Sequence, residues 1–316
     1  MVNFMAKQDE SQAALSHLSQ TCQLVNQKLS SPQALSDITV AVVVCICIYE
    51  QLRGDTQKRR LHMDGLRRMI ELRGGIGELQ QNNALLQKIC RSDITLALHE
   101  GSPTRFFWDG MPRLAIDSAL GNAKTRTEDL PKAFRDFPSG LSQLIVDVTD
   151  LSHLLNRSPA GPRLEPYAFQ ATMISLFNRL IQFRFLKSQP ATDAMEDAVH
   201  LGLMAFMTTL LLFFGRRQQL PYELLSKRLI TSLQKIRDSC PDELPVALWL
   251  LIVGSISVFD QVGKAWSAEE IKTIARDMAV ESWDSLRGAI GRFPWIRALH
   301  DQRARIFWES TVGSDS

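Results

Sequence analysis

Apolar residues recur at intervals of three or four along most of this chain, which places them on one face of an α-helix. The alternation of apolar and polar residues that indicates half-buried strands is rare. We therefore predict an all-α fold of about ten helices in a large helical-bundle-like domain. The predicted helices cover residues 11–29, 32–53, 56–73, 83–99, 138–156, 166–187, 192–215, 221–239, 241–260, 267–288 and 294–309.

Several residues predict where these helices begin and where the pattern is interrupted. Ser31 and Pro32 have the residue types favoured at an N-cap and a first helical position, and Asp55 is placed to cap the next helix. Ser267 opens a capping box for the helix 267–288. Residues 101–140 are rich in Gly and Pro and lack helical periodicity, so we predict an irregular segment there. We treat residues 1–316 as a single domain, with a candidate internal boundary within 101–140.

Three runs are apolar enough to be compared with membrane spans. They cover residues 38–49, 201–214 and 244–259, which are twelve, fourteen and sixteen residues. A spanning helix needs about 20 apolar residues, so we predict buried core helices and no membrane association. The first run is rich in Val and Ile, but a lone strand would have no partner among helices, and we predict a helix there as well.

The first predicted helix carries a seam of apolar residues spaced three, four, three and four apart. Such spacing is typical of a heptad pattern, although the run is shorter than the three or four heptads of an established coiled coil. The helix either packs on its own domain or forms a dimer seam. The seam consists of Leu15, Leu18, Cys22, Val25 and Leu29.

Composition narrows the class of protein. Of the 316 residues, 45% are hydrophobic and 22% charged, and the formal net charge is +2. These values are ordinary for a folded soluble protein, and the charge is too small to indicate nucleic-acid binding by itself. The five dispersed cysteines do not suggest a disulfide framework, and the N-terminus lacks the pattern of a secretory signal. We expect a protein that is not secreted.

A search for catalytic and metal-binding patterns assigns no residue. His99-Glu100 lacks the second histidine of a zinc-protease helix, and Gly74-Gly75-Ile76-Gly77 follows a helix rather than a strand. Cys45 and Cys47 lie two apart on a predicted helix, so their side chains diverge. We therefore predict no catalytic residue, no metal site and no cofactor.

The most distinctive stretch covers residues 62–76. His62, Leu66, Met69, Ile70 and Arg73 fall on one side of a helix, and Gly74 and Gly75 follow where a glycine cap commonly ends one. Gly65 lies inside this helix, where glycine costs about 1 kcal/mol relative to alanine. Close packing of another helix over Gly65 is one way to offset that cost.

The pattern His-x-x-Gly-Leu-x-x-Met-Ile-x-x-Arg-Gly-Gly-Ile resembles the signature of the fungal-specific transcription factor domain, the all-helical regulatory region of fungal zinc-cluster regulators. The similarity continues through a helix that contains Ile89 and Asp93 and through a Gly-Ser-Pro turn before Phe106. The resemblance implies a transcription-regulating module in the nucleus, or otherwise in the cytoplasm. The residues that carry the structural signature are His62, Gly65, Leu66, Arg73, Gly74, Gly75 and Asp93.

The sequence departs from the family pattern in its cysteines. A zinc-cluster DNA-binding domain needs six cysteines in a compact basic segment, whereas this chain has five, dispersed, with no Cys-x-x-Cys pair. We therefore expect no direct DNA binding by these residues and carry over no zinc ligand.

Charged residues around the signature allow two interpretations. Lys58-Arg59-Arg60 and Arg67-Arg68 form either a phosphate or nuclear-import patch or a solvated helix face. We further predict that the signature helix and the helix 83–99 form an antiparallel pair, with Asp93 bound to Arg73 or Arg68 across it.

Two functional hypotheses follow. The first is a transcription-regulator-like helical module in a fungal pathway, with secondary metabolism as one candidate, that acts through a protein partner or a homodimer and senses an apolar small molecule. The alternative is an enzyme on a helical scaffold, with an apolar pocket lined from residues 195–214 and 244–259. In either case, the candidate residues for an effector pocket are Met204, Phe206, Met207 and Trp249.

Overall fold

The computed structural model describes residues 12–79, 81–107, 125–134, 136–157, 165–211, 222–236 and 243–312, and within them the protein is all-α, as predicted. Short 3-10 turns accompany the α-helices at Ile76–Leu79, Thr127–Asp129 and Lys132–Phe134. None of the described helices is both long and apolar enough to cross a membrane. The twelve α-helices in these ranges are α1 Gln12–Leu29, α2 Asp37–Arg53, α3 Thr56–Leu72, α4 Asn83–Glu100, α5 Ser139–Leu155, α6 Pro166–Phe183, α7 Ala194–Thr208, α8 Glu223–Lys235, α9 Leu244–Ser257, α10 Gln261–Asp277, α11 Trp283–Ile290 and α12 Arg297–Val312.

The chain divides into two compact units, residues 1–96 (unit 1) and residues 97–316 (unit 2). The division falls inside α4, just before the segment 101–140, much of which lies outside the described residues. The single domain therefore stays a prediction, and the units are described one at a time.

Unit 1 is built around a helical hairpin of α2 and α3, which pack closely against each other. At the turn, Gly54 has a φ of +74°, and its N–H donates to the Gln51 carbonyl at 3.1 Å. Asp55 then caps α3, as predicted, by accepting a hydrogen bond from the Lys58 backbone N–H at 3.0 Å. A left-handed glycine followed by an N-cap reverses the chain within two residues.

The start of α2 differs from the prediction. Residues 30–36 form turns, and the helix begins at Asp37 rather than at Pro32. Ser36 is the N-cap, and its side chain accepts a hydrogen bond from the Thr39 N–H at 3.3 Å. Both serines are suitable caps, and local residue type alone does not decide between them.

Unit 2 has α9 at its centre, where it packs against α7, α8, α10, α11 and α12. Every residue of α9 from Val246 to Ser257 is buried. The helices α5 and α6 pack against each other, and both also contact α7. A helix that is apolar on all sides needs neighbours on all sides, and unit 2 supplies them.

The predicted helix 267–288 is wrong, because the structure has two helices there. Asp260, not Ser267, caps α10 by accepting from the Gly263 N–H at 2.8 Å. Ser267 lies buried inside α10, with its hydroxyl 2.7 Å from that of Ser255. Ala279, with a φ of +52°, ends this stretch before α11 begins.

Candidate functional site

The four predicted effector-pocket residues are all fully buried in unit 2. Met204, Phe206 and Met207 lie on α7, Trp249 lies on α9, and each has 0% exposure. Residue type and helical spacing therefore identified core residues correctly. Their role in holding an effector stays a prediction.

Residues beyond α11 pack around Trp249. Its indole N–H donates to the Pro294 carbonyl at 3.1 Å, and its ring stacks on Phe293 with the centroids 5.4 Å apart. On the other side, a methyl group added at Gly202 would lie 2.0 Å from Leu250 Cδ2, so α7 and α9 approach closely there. The surroundings of Trp249 are those of a packed core.

His300 links α12 to the end of α7. Its Nδ1 accepts from the Ile296 N–H at 3.1 Å, which leaves the proton on Nε2, 2.9 Å from the Thr209 hydroxyl. That hydroxyl donates onward to the Phe206 carbonyl at 2.7 Å. Burial, and secondarily the charge of Arg303, lowers the pKa of His300 to about 3. This histidine is a neutral structural link at physiological pH.

A second buried polar cluster joins α7 and α8. Asp197 accepts from the Ser232 hydroxyl at 2.6 Å and from Arg228 at 3.1 Å, and Arg228 also donates to the Ser188 carbonyl at 3.2 Å. Burial opposes ionisation of Asp197, but the hydrogen bonds from Ser232 and Ala191 and the charge of Arg228 outweigh it and lower its pKa. The cluster stabilises the segment between α6 and α7.

His200 lies one turn after Asp197 on α7. Its Nε2 donates to the Leu180 carbonyl at 2.9 Å, because a carbonyl oxygen can only accept. Burial is the main cause that lowers the pKa of His200 to about 4; the nearby charges of Arg184 and Arg228 also lower it, while the Leu180 hydrogen bond and Asp197 oppose them. His200 is therefore a second neutral, buried histidine in unit 2.

A polar cleft of about 420 Å³ opens beside α5. Its two buried carboxylates already have partners: Asp147 forms an ion pair with Arg179, and Asp150 accepts from the Thr125 N–H at 2.9 Å. Sequence reasoning missed both, although two acids three residues apart in an apolar helix were a usable signal. Within the described ranges, no three His, Cys, Asp or Glu side chains lie close enough to hold a metal ion.

The glycine cap of the signature helix is confirmed. Gly74 and Gly75 have φ angles of +109° and +101°, and their N–H groups donate to the Glu71 and Ile70 carbonyls at 3.1 and 2.8 Å. This pair of hydrogen bonds is the one that glycine forms at helix C-termini. Leu66 is fully buried, and His62 is partly buried.

Among the described residues, no helix packs over Gly65 to offset its cost. Gly65 is exposed, and no atom of the described residues lies within 4 Å of the position that a Cβ would occupy. The residue therefore keeps the intrinsic helix penalty of glycine without a packing gain. Spacing places a glycine on a helix face, but it does not reveal whether another helix covers that face.

Arg73 has a different partner from the predicted one. It forms an ion pair with Asp37 and donates to the Leu35 carbonyl at 3.2 Å, so it joins the end of α3 to the start of α2. The hydrogen bond from Asn82 and then that from Arg73 lower the pKa of Asp37. Arg68 pairs with Glu71 at 3.5 Å. Asp93, which we expected to bind one of these arginines, is buried in α4.

The basic cluster at the start of α3 is not a continuous surface. Arg59 is only 2% exposed, and its guanidinium donates to the Ser92 carbonyl and the Thr95 hydroxyl on α4. Lys58 and Arg60 on either side of it are exposed. The middle residue therefore holds α3 to α4, a role that the basic run concealed.

Exposed apolar side chains are concentrated in the smaller unit. Among the described residues, nine large hydrophobic side chains are exposed, and only Tyr167, Val262 and Ile306 belong to unit 2. Isolated exposed hydrophobic residues are common on protein surfaces, but six of these nine lie on three successive helices of unit 1. The six are Leu24 and Leu29 on α1, Ile38 and Leu52 on α2, and Leu61 and Leu72 on α3.

Comparison with known protein families gives one match. The family model described as fungal specific transcription factor domain matches residues 3–276. The match covers most of the 316 residues, and the chain belongs to this family. Searches of curated proteins and of solved structures return no match. The helices α11 and α12 lie beyond the matched residues, although they pack on α9.

Proposed function

We propose that this protein is a transcription-regulating module of the nucleus that acts through contacts with other protein chains. Membership of the fungal transcription factor domain family supports a role in regulating transcription. The contact surface that we assign is the exposed apolar part of unit 1, the six side chains on α1, α2 and α3.

The observation that carries this assignment is the contrast between burial in unit 2 and exposure in unit 1. The Met- and Phe-rich helix α7 and the apolar helix α9 are packed into a core, so their side chains are not available to another chain. Leu61 and Leu72 of α3, by contrast, are 65% and 58% exposed. They lie eleven residues apart, which places them on the same side of the helix.

A reporter assay in fungal cells tests the proposal. Residues 1–316 are fused to an unrelated DNA-binding domain, and reporter output is compared with that of the DNA-binding domain alone. We expect output to change several-fold, and we expect the double variant Leu61→Lys, Leu72→Lys to remove most of that change.

The matched control is the double variant Val262→Lys, Ile306→Lys, which adds the same charges at exposed apolar positions of unit 2. Because these positions lie outside the assigned surface, this variant should behave as the parent does. An unchanged reporter for the parent fusion contradicts a regulatory role. Equal losses for both double variants, with both proteins folded by circular dichroism, contradict the assigned surface.

A further inference from the structure

The polar cleft beside α5 contains a buried carboxylate that no cation neutralises among the described residues. Asp150 lines the cleft and is only 3% exposed. Its Oδ1 accepts from the Thr125 N–H at 2.9 Å, whereas its Oδ2 has no donor and the carboxylate has no ion pair in the parts of the chain that the structure describes. A buried charge without a counter-ion is costly, so Oδ2 favours a positively charged donor that enters the cleft.

Asp147, three residues earlier on α5, is a satisfied carboxylate on the same side of the helix. It is 5% exposed, its Oδ1 accepts from the Gln143 amide at 2.9 Å, and its Oδ2 pairs with Arg179. Both carboxylates line the cleft, yet among the described residues only Asp147 has a guanidinium beside it. The cleft therefore lacks one positive charge, and the place for it is beside Asp150.

The neutral groups that line the cleft supply hydrogen-bond acceptors. Thr125 and Thr127 contribute hydroxyl oxygens, and Gln143, whose amide nitrogen is used on Asp147, contributes a carbonyl oxygen. No donor among the described residues is bound to any of these three oxygens. A primary ammonium group has one positive charge, three N–H donors and no acceptor. It therefore complements a carboxylate surrounded by neutral oxygens.

The size and the wall of the cleft indicate an organic cation. Its volume of about 420 Å³ lies in the range of small-molecule sites and is many times the roughly 30 Å³ that one water molecule occupies in the liquid. Val146, whose side chain is buried, provides an apolar part of the wall. An aliphatic chain of a few carbons that carries an ammonium group matches both features.

The charges that line the cleft favour a cation, and one of them opposes it. The carboxylates of Glu128, Asp147 and Asp150 outnumber the single guanidinium of Arg126, so the lining is negative. Arg126 is exposed and forms no ion pair with either buried carboxylate. Its charge repels a bound cation, so its removal should strengthen binding.

We propose that this cleft binds a small aliphatic primary amine in its charged form, with the ammonium group on Asp150 and the carbon chain along Val146. A free amine and a lysine side chain of another protein present the same chemistry, and the experiment separates these two sources. The proposal does not depend on the contact surface of unit 1, because every residue that lines the cleft belongs to unit 2.

A ligand-observed NMR titration of the full chain with n-butylammonium, at constant ionic strength, is the first test. We expect a dissociation constant of about 1 mM, which is reasonable for a ligand of about five non-hydrogen atoms. Two matched probes, 1-butanol without the charge and tetramethylammonium without N–H donors, should bind at least about tenfold more weakly. Magnesium chloride should not displace the amine.

A lysine derivative, Nα-acetyl-lysine methylamide, separates the two sources of the ammonium group. Binding as tight as that of n-butylammonium supports a lysine side chain of another protein as the ligand. Exclusion of the derivative supports a free amine, because its two amide groups then do not fit beside the mouth of the cleft.

Two variants with opposite expected effects test the position of the site. Asp150→Asn should weaken binding of n-butylammonium at least about tenfold, because it removes the charge that the ammonium group meets. Arg126→Gln should strengthen binding about two- to threefold, because it removes a like charge. The matched controls, Asp277→Asn and Arg276→Gln, make the same changes at exposed positions of α10 and should leave binding as it was. Because a damaged fold does not raise affinity, the gain in Arg126→Gln tests the site even if Asp150→Asn fails to fold.

Each outcome of these experiments supports or overturns the site. No saturable binding of n-butylammonium up to about 20 mM overturns it. Equal binding of all three probes, or displacement of the amine by magnesium, overturns the assignment of a primary amine. Binding that neither Asp150→Asn nor Arg126→Gln changes lies elsewhere on the chain and overturns the assignment to this cleft. The reporter assay is a separate measurement, so the proposed function and the amine site fail independently.

Discussion

The helices α2 and α9 are alike in sequence but differ in how the fold uses them. Both contain long apolar runs with few charges, and both were predicted to be buried core helices. In the structure, α9 is buried at every position from Val246 to Ser257, whereas α2 exposes Ile38, Cys45 and Leu52 on one side. The apolar run therefore predicts a helix in each case but does not predict how many of its faces are covered.

The neighbours of each helix explain the difference. Within unit 2, α9 is surrounded by α7, α8, α10, α11 and α12, while within unit 1 the main neighbours of α2 are α3 and α1. A helix that is apolar all round needs contacts on all sides to be satisfied. Substitutions that affect the stability of unit 2 strongly should therefore have much smaller effects when made on the exposed side of unit 1.

The largest difference is expected between Trp249→Ala and Ile38→Ala. Trp249 is fully buried, so its truncation leaves a cavity and should lower the free energy of unfolding by about 3–5 kcal/mol. Ile38 is 68% exposed, so its truncation should change the free energy by less than about 0.5 kcal/mol. Urea unfolding followed by circular dichroism measures both, and equal losses would contradict the contrast between the two helices.

Acid should destabilise unit 2 through its two buried histidines. The pKa values of His200 and His300, about 4 and about 3, lie below the value of about 6.5 in an unfolded chain. The unfolded state therefore binds more protons below pH 6.5, so stability is complete above that pH and is lost as the pH falls. Each histidine should lower the free energy of unfolding by about 1.4 kcal/mol for every pH unit between about pH 6 and pH 4.5.

Tryptophan fluorescence reports this loss selectively, because all six tryptophans lie in unit 2. Urea unfolding at several pH values should show the fall in the free energy of unfolding with decreasing pH. His300→Gln should reduce the slope of that fall by about half. The same change at the exposed His153 is the control and should leave the slope as it was. A stability of unit 2 that does not change between pH 6.5 and 4.5 would contradict the neutral, buried state of both histidines.

The next effect in size is expected from a single methyl group on α9. A Cβ at Gly254 would lie 2.3–2.8 Å from the ring atoms of Phe259, which is buried and packs edge-on against Trp266. Because the ring has little room to move, Gly254→Ala should destabilise unit 2 by about 1–3 kcal/mol. Gly288→Ala on α11, where no atom lies within 4 Å, is the matched control and should not destabilise the unit. Equal unfolding midpoints for the two variants would contradict this prediction and show that the Phe259 ring can move to accommodate the methyl group.

Some local signals along the chain were predicted correctly, although the caps at Ser31 and Ser267 were not, and the predicted contacts between distant residues were wrong. Asp55 and the Gly74-Gly75 cap were found from sequence, because each acts on residues a few positions away. The pairing of Arg73 with Asp37 spans 36 positions, and several acids were equally plausible partners. Arg59 was hidden in a basic run, although it is buried and its guanidinium donates to α4.

The exposed side of α2 was missed for a related reason. Nearly every residue between Ile38 and Tyr49 is apolar, so no change from apolar to polar marks the exposed side. The sequence instead drew attention to the heptad spacing in α1, where Val25 is buried and Leu29 is exposed. Whether a face is covered depends on the placement of other helices, which the periodicity of one helix does not contain.

The smallest expected effect is a gain in stability from Gly65→Ala on α3. No neighbour lies near the position of the added methyl group, and alanine restricts the unfolded chain, so α3 should gain up to about 1 kcal/mol. Amide hydrogen exchange of α3 is the suitable measurement, because unit 1 contains no tryptophan. Gly74→Ala, just beyond the C-cap of the same helix at a φ of +109°, should instead lose about 1 kcal/mol or more. If Gly65→Ala destabilised α3, another chain or segment would have to pack over Gly65, and the exposed side of α3 would be an occupied surface.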